Sequence, residues 1–167
     1  KEVMNYTVSD LRPYIDWTFF FIAWEMKKLY PDILEDSAYG KEAKKIFNDA
    51  NKMLYFIEEN NIVDIKGVFG IFKANSNGDN IELYNKDKSL AATFNLFREQ
   101  RKKNKGPYLC LSDFIAPKEI NKDDYLGGFI VTIGLKTDEY VKKLESEGDS
   151  YNAIMLKLVC DRLAEAF

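Results

Sequence analysis

Residues 67–95 read GVFGIFKANSNGDNIELYNKDKSLAATFN, and they set the fold class of this sequence. Three short runs in the segment are rich in β-branched and aromatic residues, and clusters of Asn, Asp, Gly and Ser separate them. This composition is typical of strands joined by tight turns. We therefore predict an antiparallel meander, with strands over 67–73, 80–84 and 90–95, a hairpin loop over 75–79 and a turn over 85–89.

Helical patterns lie on both sides of this meander. A helix over 16–30 is predicted to end before Pro31, because proline disfavours helical backbone in the preceding residue. Ser37 is predicted to cap the next helix, whose apolar residues recur at helical spacing as far as Asn60. Two further helices are predicted near the end of the chain, over 137–147 and 151–167.

Two more strands are predicted after the meander, over 108–114 and 127–135, and the second of them (GGFIVTIGL) has the most buried pattern in the chain. The order of elements is helices, then strands, then helices, without strict alternation. This order predicts an α+β fold with a mostly antiparallel sheet flanked by helices. A length of 167 residues suits one domain over 1–167.

The charge balance argues against nucleic acid as a partner. The chain has 24 basic and 27 acidic residues, a net charge of −3 and a pI near 5.2, so it lacks the broad basic surface of a nucleic-acid-binding protein. A membrane-spanning segment is not expected either, since the strongest apolar run, over 17–24, is far shorter than the roughly 20 residues that a spanning helix needs.

The chain contains no histidine. This excludes Ser–His and Cys–His nucleophilic catalysis and zinc sites that need imidazole. The two cysteines, Cys110 and Cys160, form no CxxC motif, so neither a disulfide framework nor a cysteine-rich metal site is expected. The simplest interpretation is a reduced, cytoplasmic protein whose functional groups are carboxylates, tyrosines and backbone.

Asp16 is the first candidate site residue, a single acid in the aromatic segment YIDWTFFF (14–21). One interpretation is structural: the carboxylate caps the following helix by accepting backbone N–H groups. The functional alternative is a carboxylate between aromatic faces that binds a cationic ligand, because rings attract cations and carboxylates accept charge-assisted hydrogen bonds. The residues alone leave both interpretations open.

The last predicted helix contains a second candidate. Ile154, Leu158 and Glu165 fall close to one line on the helix surface, which places Glu165 at the end of an apolar stripe, with Asp161 one turn before it. The alternative is that the stripe simply ends there and Glu165 reaches water, or that Arg162 pairs with a nearby acid.

Several segments together resemble the activation (reactivation) domain of cobalamin-dependent methionine synthase, in the order of that family and with nearly its spacing. They are YIDWT (14–18), YPDILED (30–36), GVFG (67–70), ANSNGDNIE (74–82), CLSDFIAP (110–117), DYLGGF (124–129), YNAIM (151–155) and DRLAEAF (161–167). A single motif of this kind is weak, but the ordered set is specific.

The resemblance implies a C-shaped α+β domain around a twisted antiparallel sheet that binds S-adenosylmethionine (AdoMet). In that family the module caps the cobalamin-binding domain when cob(I)alamin has been oxidised to cob(II)alamin. Methyl transfer from AdoMet, with one electron from a flavodoxin-type reductant, then restores methylcobalamin. The module presents the ligand, and the complete methyltransferase performs the reaction, so the isolated chain is not expected to be catalytic.

The resemblance also implies roles for three acids. Asp16 matches the aspartate that contacts the cationic amino-acid end of AdoMet, Glu165 matches a glutamate near the ligand and the corrinoid interface, and Asp161 matches an acid facing that interface. No catalytic residue and no metal ligand are expected within the chain, because the methyl acceptor is the cobalt of the partner domain.

The sequence departs from the family pattern in three ways. Phe19 stands where a proline is common, and Asn80 replaces the usual second aspartate after a glycine. The second ligand segment of the family, Arg-Pro-x-x-Gly-Tyr, would lie downstream of Phe167. We therefore expect a chain truncated at its C-terminus, and its start at Lys1 without methionine also suggests excision from a longer protein.

Two other functions are compatible with the residues. One is an interaction module that docks on a corrinoid protein or a flavodoxin-type reductant without binding AdoMet. The other is a free-standing enzyme of another class that uses Asp16 and Glu165 as an acid–base pair, although no substrate pocket signature supports it.

Overall fold

The computed structural model describes residues 2–134 and 136–167, with only the backbone of Glu2. Residues Phe69–Phe129 make up one compact unit, which we call the sheet unit. Residues Val3–Val68 and Ile130–Phe167 make up the other, which we call the helical unit. The chain contains both α-helices and an antiparallel sheet, so the predicted α+β class is confirmed.

The five strands found in the described residues form one sheet. They are β1 (Glu2–Asn5), β2 (Lys66–Asn77), β3 (Asn80–Tyr84), β4 (Leu90–Asn95) and β5 (Asp124–Thr132). The first four follow one another across the sheet in chain order, and β5 also pairs with β2. Strand β3 pairs antiparallel with both β2 and β4, which confirms the predicted meander.

The turn between β2 and β3 is tighter than predicted. Gly78 and Asp79 alone form it, because Asn77 pairs with Asn80 in the antiparallel register. Gly78 has a φ of 59°, a left-handed conformation that glycine adopts without steric cost. The loop predicted over 75–79 is therefore too long, since its first three residues belong to β2.

Two polar residues of β2, Asn75 and Ser76, are buried in the sheet unit. The Asn75 Nδ2 donates to the carbonyls of Ala116 at 3.0 Å and Lys122 at 2.8 Å. The Ser76 hydroxyl donates to the carbonyl of Ile115 at 3.0 Å. Their burial is compatible with a stable fold because these side chains hold a neighbouring loop through its backbone.

The strand predicted over 108–114 is wrong, since Leu111–Phe114 is a 3₁₀ helix. The Asp113 carboxylate accepts the backbone N–H of Cys110 at 2.8 Å, and the Asp113 N–H donates to the Cys110 carbonyl at 3.0 Å. Such local bonds from an aspartate offer the backbone an alternative to strand pairing.

Strand β5 occupies most of the segment predicted over 127–135, but it is mostly exposed, so the predicted burial is wrong. An apolar run indicates that a strand tends to be buried, but it does not show that another element packs against the strand. Apart from the adjacent residues of the chain, no described atom lies within 4 Å of the Cβ position of Gly127 or Gly128. Leu135, the last residue of the prediction, lies outside the described residues.

The helical unit contains all five α-helices of the described residues. They are α1 (Val8–Leu11), α2 (Trp17–Ala23), α3 (Gly40–Glu59), α4 (Lys136–Ser146) and α5 (Ser150–Ala166). Helices α2, α3 and α4 all pack on α5. The largest fully buried side chains of the helical unit are Phe20, Phe21, Ile33, Leu54, Ile57, Met155, Leu156 and Leu163. None of the helices described combines the length and the apolar character needed to cross a bilayer.

Helix α2 ends well before residue 30, where the sequence predicted its end. Glu25 adopts a left-handed backbone with a φ of 62°. Its N–H donates to the Ile22 carbonyl at 2.9 Å, and the Met26 N–H donates to the Phe21 carbonyl at 3.0 Å. This pair of bonds is a Schellman cap, a helix end that usually has glycine in the left-handed position. Because glutamate occupies that position here, the sequence contains no signal of the helix end.

Helix α3 has the predicted apolar face, but Ser37 does not cap it. The Asp36 carboxylate instead accepts the backbone N–H groups of Ala38 at 2.9 Å and Tyr39 at 2.8 Å, immediately before the helix begins. The predicted end of the helix is confirmed, because Asn61 adopts left-handed backbone with a φ of 51°.

Candidate functional site

Asp16 begins α2 as its N-cap. Its backbone is extended (φ −79°, ψ 98°), and its Oδ1 accepts the N–H of Thr18 at 2.9 Å. The structural interpretation of Asp16 is therefore confirmed. The residue is exposed, and its Oδ2 accepts no hydrogen bond from the described part of the chain. One carboxylate oxygen holds the helix while the other faces solvent, so capping and ligand binding are compatible.

The aromatic residues around Asp16 divide into two groups. Trp17, Phe20 and Phe21 are buried in the core of the helical unit and cannot contact a ligand. Tyr14 and Phe19 remain exposed, at 73% and 51%. Of the aromatic residues that were expected to surround the carboxylate, only these two are therefore accessible to a ligand.

Phe19 connects Asp16 to the last turns of α5. It lies one turn after Asp16 on α2, and the Cζ of Arg162 is 5.8 Å from the centre of its ring. The Arg162 guanidinium also pairs with the Glu165 carboxylate. Helix α2 and the last turns of α5 therefore meet at a contact between Phe19 and Arg162, and Arg162 also pairs with Glu165.

Glu165 does not extend a buried apolar stripe. Ile154, on the same line of α5, is 47% exposed, and the side chain of Glu165 is 57% exposed. The buried face of the helix is a different one, formed by Ala153, Leu156, Val159, Cys160 and Leu163. Glu165 thus reaches solvent and pairs with Arg162, which is the alternative that the sequence left open.

Asp161 is also exposed, but it borders a separate shallow cavity of about 210 Å³ between α4 and α5. Asp138 and Lys157 line the same cavity. Burial, with smaller contributions from the Asp161 and Asp138 carboxylates, raises the pKa of the neighbouring Cys160 thiol to about 12. This thiol is therefore a protonated core residue and not a nucleophile.

Asp16 and Glu165 are carboxylates and can accept hydrogen bonds from a cation. Carboxylates accept hydrogen bonds, and each already has a partner, a backbone amide for Asp16 and a guanidinium for Glu165. The exposed Phe19 ring, the Arg162 guanidinium and the Glu165 carboxylate are suited to a ligand that carries both positive and negative charge.

Sequence reasoning identified Asp16, Glu165 and the pairing of Arg162, but it missed the contact between Phe19 and Arg162. The available signal was that Phe19 follows Asp16 by three residues, which places both on one face of the helix. It also missed a second cluster, around Asp49 and Tyr151, whose members are about a hundred residues apart in the sequence.

Comparison with known proteins connects this geometry to a family. The model of the family described as "Vitamin B12 dependent methionine synthase, activation domain" matches residues 7–167. A crystal structure of the MetH reactivation domain bound to AdoHcy has 42% sequence identity and a TM-score of 0.93 over 99% of this chain. The match covers 52% of that chain, so the present chain spans about half its length. The chain belongs to the family of activation domains of vitamin B12-dependent methionine synthases.

Proposed function

We propose that this chain is an AdoMet-binding module that supports the reductive methylation of cobalamin held by another domain of methionine synthase, and so serves methionine biosynthesis. The observation that carries this proposal is the match to a reactivation domain with AdoHcy bound. AdoHcy is AdoMet without its transferable methyl group, so a site that binds one offers most of the contacts needed by the other.

The proposed ligand contacts lie where α2 and α5 meet. The solvent-facing Oδ2 of Asp16 accepts a hydrogen bond from the α-ammonium group of AdoMet. Glu165 lies on the other side and balances the positive charge of the sulfonium. Arg162 acts as a positioning residue, because its pair with Glu165 and its contact with Phe19 fix the direction of both side chains.

In this proposal the chain binds and orients the ligand and makes no bond itself. The cobalamin of the partner domain supplies the methyl acceptor, and a flavodoxin-type reductant supplies the electron. Asp161 and Glu165 are proposed to face the corrinoid domain. The proposed setting is the cytoplasm, which suits a chain whose two cysteines are both free thiols.

A second candidate function, docking on a corrinoid protein or a reductant without AdoMet binding, is favoured by the sheet unit. Its buried core cluster consists of Ala74, Ile81 and Leu83, a small core for about 60 residues. Large apolar side chains are exposed around it, namely Ile71, Phe94, Phe97, Leu111, Phe114, Ile120 and Phe129. An apolar surface of this kind is typical of a protein–protein contact.

Calorimetric titration of the chain with AdoMet tests the first proposal. Asp16→Asn keeps the cap, since asparagine is an equally good N-cap, but it removes the charge that would bind the ammonium group. We expect binding to weaken about tenfold or more, which corresponds to at least about 1.4 kcal/mol. Asp149→Asn is the matched control, because Asp149 caps α5 in the same manner at the opposite end of that helix.

Two results would contradict the proposal. Equal affinities of Asp16→Asn and the unchanged chain would remove Asp16 from the ligand site. Absence of heat and of a thermal shift at millimolar AdoMet would favour the docking module over an AdoMet-binding one.

A further inference from the structure

A cavity larger than the one beside Asp161 lies near the start of α5, at the end opposite to Glu165. It has a volume of about 520 Å³ and opens to solvent between three helices of the helical unit. Residues of α3, of α4 and of the first turn of α5 line it. Asn152 at this end of α5 and Glu165 at the other are 13 residues apart, or about 20 Å along the helix axis.

Helix α3 supplies one wall of this cavity. Asp49, Lys52, Met53 and Phe56 lie at spacings of three, four and seven residues, which places all four side chains on one face. The polar members come first in this row and the apolar members follow, so the cavity has a polar end and an apolar end.

The polar end contains one negative and one positive group. The Lys52 ammonium lies 3.1 Å from Asp49 Oδ1, and the Tyr151 hydroxyl donates to Asp49 Oδ2 at 3.0 Å. Hydrogen bonding to Lys52 lowers the pKa of Asp49, and burial together with the bond to Asp49 raises the pKa of Tyr151 to about 12. At neutral pH the site therefore presents the Asp49 carboxylate and the neutral phenol of Tyr151. Lys52 adds a basic side chain, and Asn152 adds an amide whose Nδ2 also donates to Asp149 Oδ2 at 2.7 Å.

The apolar end is formed by α3 and α4. Met53 is buried, and Leu144 is partly buried against the core of the helical unit. The rings of Phe56 and Tyr140 lie 5.6 Å apart at 56° and form the outer wall. Because Tyr140 and Leu144 are four residues apart on α4, both face the cavity.

A zwitterion with an apolar side chain complements both ends. Its ammonium can share the carboxylate of Asp49, which has acceptor capacity beyond its two present bonds, and its carboxylate can pair with Lys52 and Asn152. Neither charge of such a ligand would be left without a partner, and its side chain would cover the apolar wall. A purely cationic or purely anionic ligand would leave Lys52 or Asp49 facing a like charge.

We infer that this cavity is a second ligand site, which binds a free α-amino acid with an apolar side chain. The site is independent of the AdoMet contacts proposed above, because it shares none of their residues. Its contacts require the ammonium, the carboxylate and the side chain of the ligand together.

Two-dimensional ¹H–¹⁵N NMR titration of the chain with L-leucine tests this inference. We expect saturable shifts at the amides of residues around the cavity, including Lys52, Phe56, Leu144 and Asn152, and none in the first turn of α2. N-acetyl-L-leucine lacks the ammonium group, isoamylamine lacks the carboxylate and glycine lacks the side chain. Each should bind at least about tenfold more weakly than L-leucine.

Variants of α3 locate the charged contacts. Asp49→Asn and Lys52→Met should each weaken L-leucine binding, the first by about tenfold or more. Glu59→Gln and Lys41→Met make the same charge changes on exposed residues of α3 outside the cavity, and should leave the affinity unchanged.

Equal binding of isoamylamine and L-leucine would overturn the inference, since it would reduce the site to a hydrophobic groove. Shifts that do not saturate, or that occur around Asp16, would overturn it as well. AdoMet binding is measured separately by calorimetry, so failure of this inference would leave the AdoMet proposal intact.

Discussion

The burial of α5 can be tested by a pair of substitutions two residues apart, Leu156→Ala and Ile154→Ala. Leu156 is fully buried, whereas Ile154 is 47% exposed. Truncating a buried leucine to alanine costs about 3–5 kcal/mol, because transfer energy is lost and a cavity remains. A half-exposed isoleucine leaves no closed cavity and loses only part of its transfer energy, about 1 kcal/mol.

The two variants should therefore differ by at least about 2 kcal/mol in the free energy of unfolding, or about thirtyfold in the folding equilibrium. Both introduce alanine into the same helix, so helix propensity contributes nearly equally to each. Urea unfolding followed by far-ultraviolet circular dichroism gives the free energies by linear extrapolation. The thermal midpoint of Leu156→Ala should fall by roughly 6–15 °C, and that of Ile154→Ala by a few degrees.

Equal losses in the two variants, or a larger loss for Ile154→Ala, would refute this assignment of faces. A larger loss for Ile154→Ala would mean that the line through Ile154 and Glu165 is the buried one, as the sequence pattern first suggested. The charge pair at the end of α5 would then need a different explanation.

Three further predictions concern charges and thiols. Asp36 has its pKa lowered to about 2, first by a lysine ammonium and then by two backbone amides. Its contribution to stability should be complete above about pH 4 and lost as the pH falls toward 2, and acid titration of Asp36→Asn should lack this component. Arg98 binds two aspartates and a backbone carbonyl, so Arg98→Lys should speed amide hydrogen exchange in the loop over 99–113, while Arg101→Lys at an exposed position should not. Cys110 and Cys160 are both buried, and mass spectrometry should find neither thiol alkylated by iodoacetamide until the chain is unfolded.

The spacing of apolar residues predicted most of the helices and strands, because it indicates which face of each element is buried. Helix α3 and strands β3 and β4 have the predicted positions, and the last two helices begin and end within one residue of the prediction. Each of these elements has a continuous apolar pattern or is bounded by turn residues, which are local signals.

The errors occur where side chains far apart in the sequence, or unusual backbone, decide the structure. The early end of α2 depends on left-handed Glu25, a residue type that rarely takes this conformation. The 3₁₀ helix at 111–114 depends on Asp113, which is held by Arg98. The cavity beside Asp49 needs Tyr151 from another helix, and no local pattern predicts that contact.

The candidate site was predictable only in part, because local sequence identified single residues but not the contacts between helices. Asp16 and Glu165 could be identified as acids in unusual surroundings, and the family resemblance supplied their proposed roles. The contact of Phe19 with Arg162, which pairs with Glu165, depends on how α2 packs on α5, and only the structure provides that packing.

The two carboxylate oxygens of Asp16 have different surroundings, and this difference determines which substitutions the position tolerates. Oδ1 serves the helix and Oδ2 faces solvent. Serine or threonine would supply the first oxygen and omit the second. In the proposed function, such a substitution would therefore remove the ammonium contact while the helix cap and the fold remained intact. Alanine would remove both oxygens. The proposal therefore predicts that relatives with a serine or threonine at this position keep the fold of the domain and bind AdoMet more weakly.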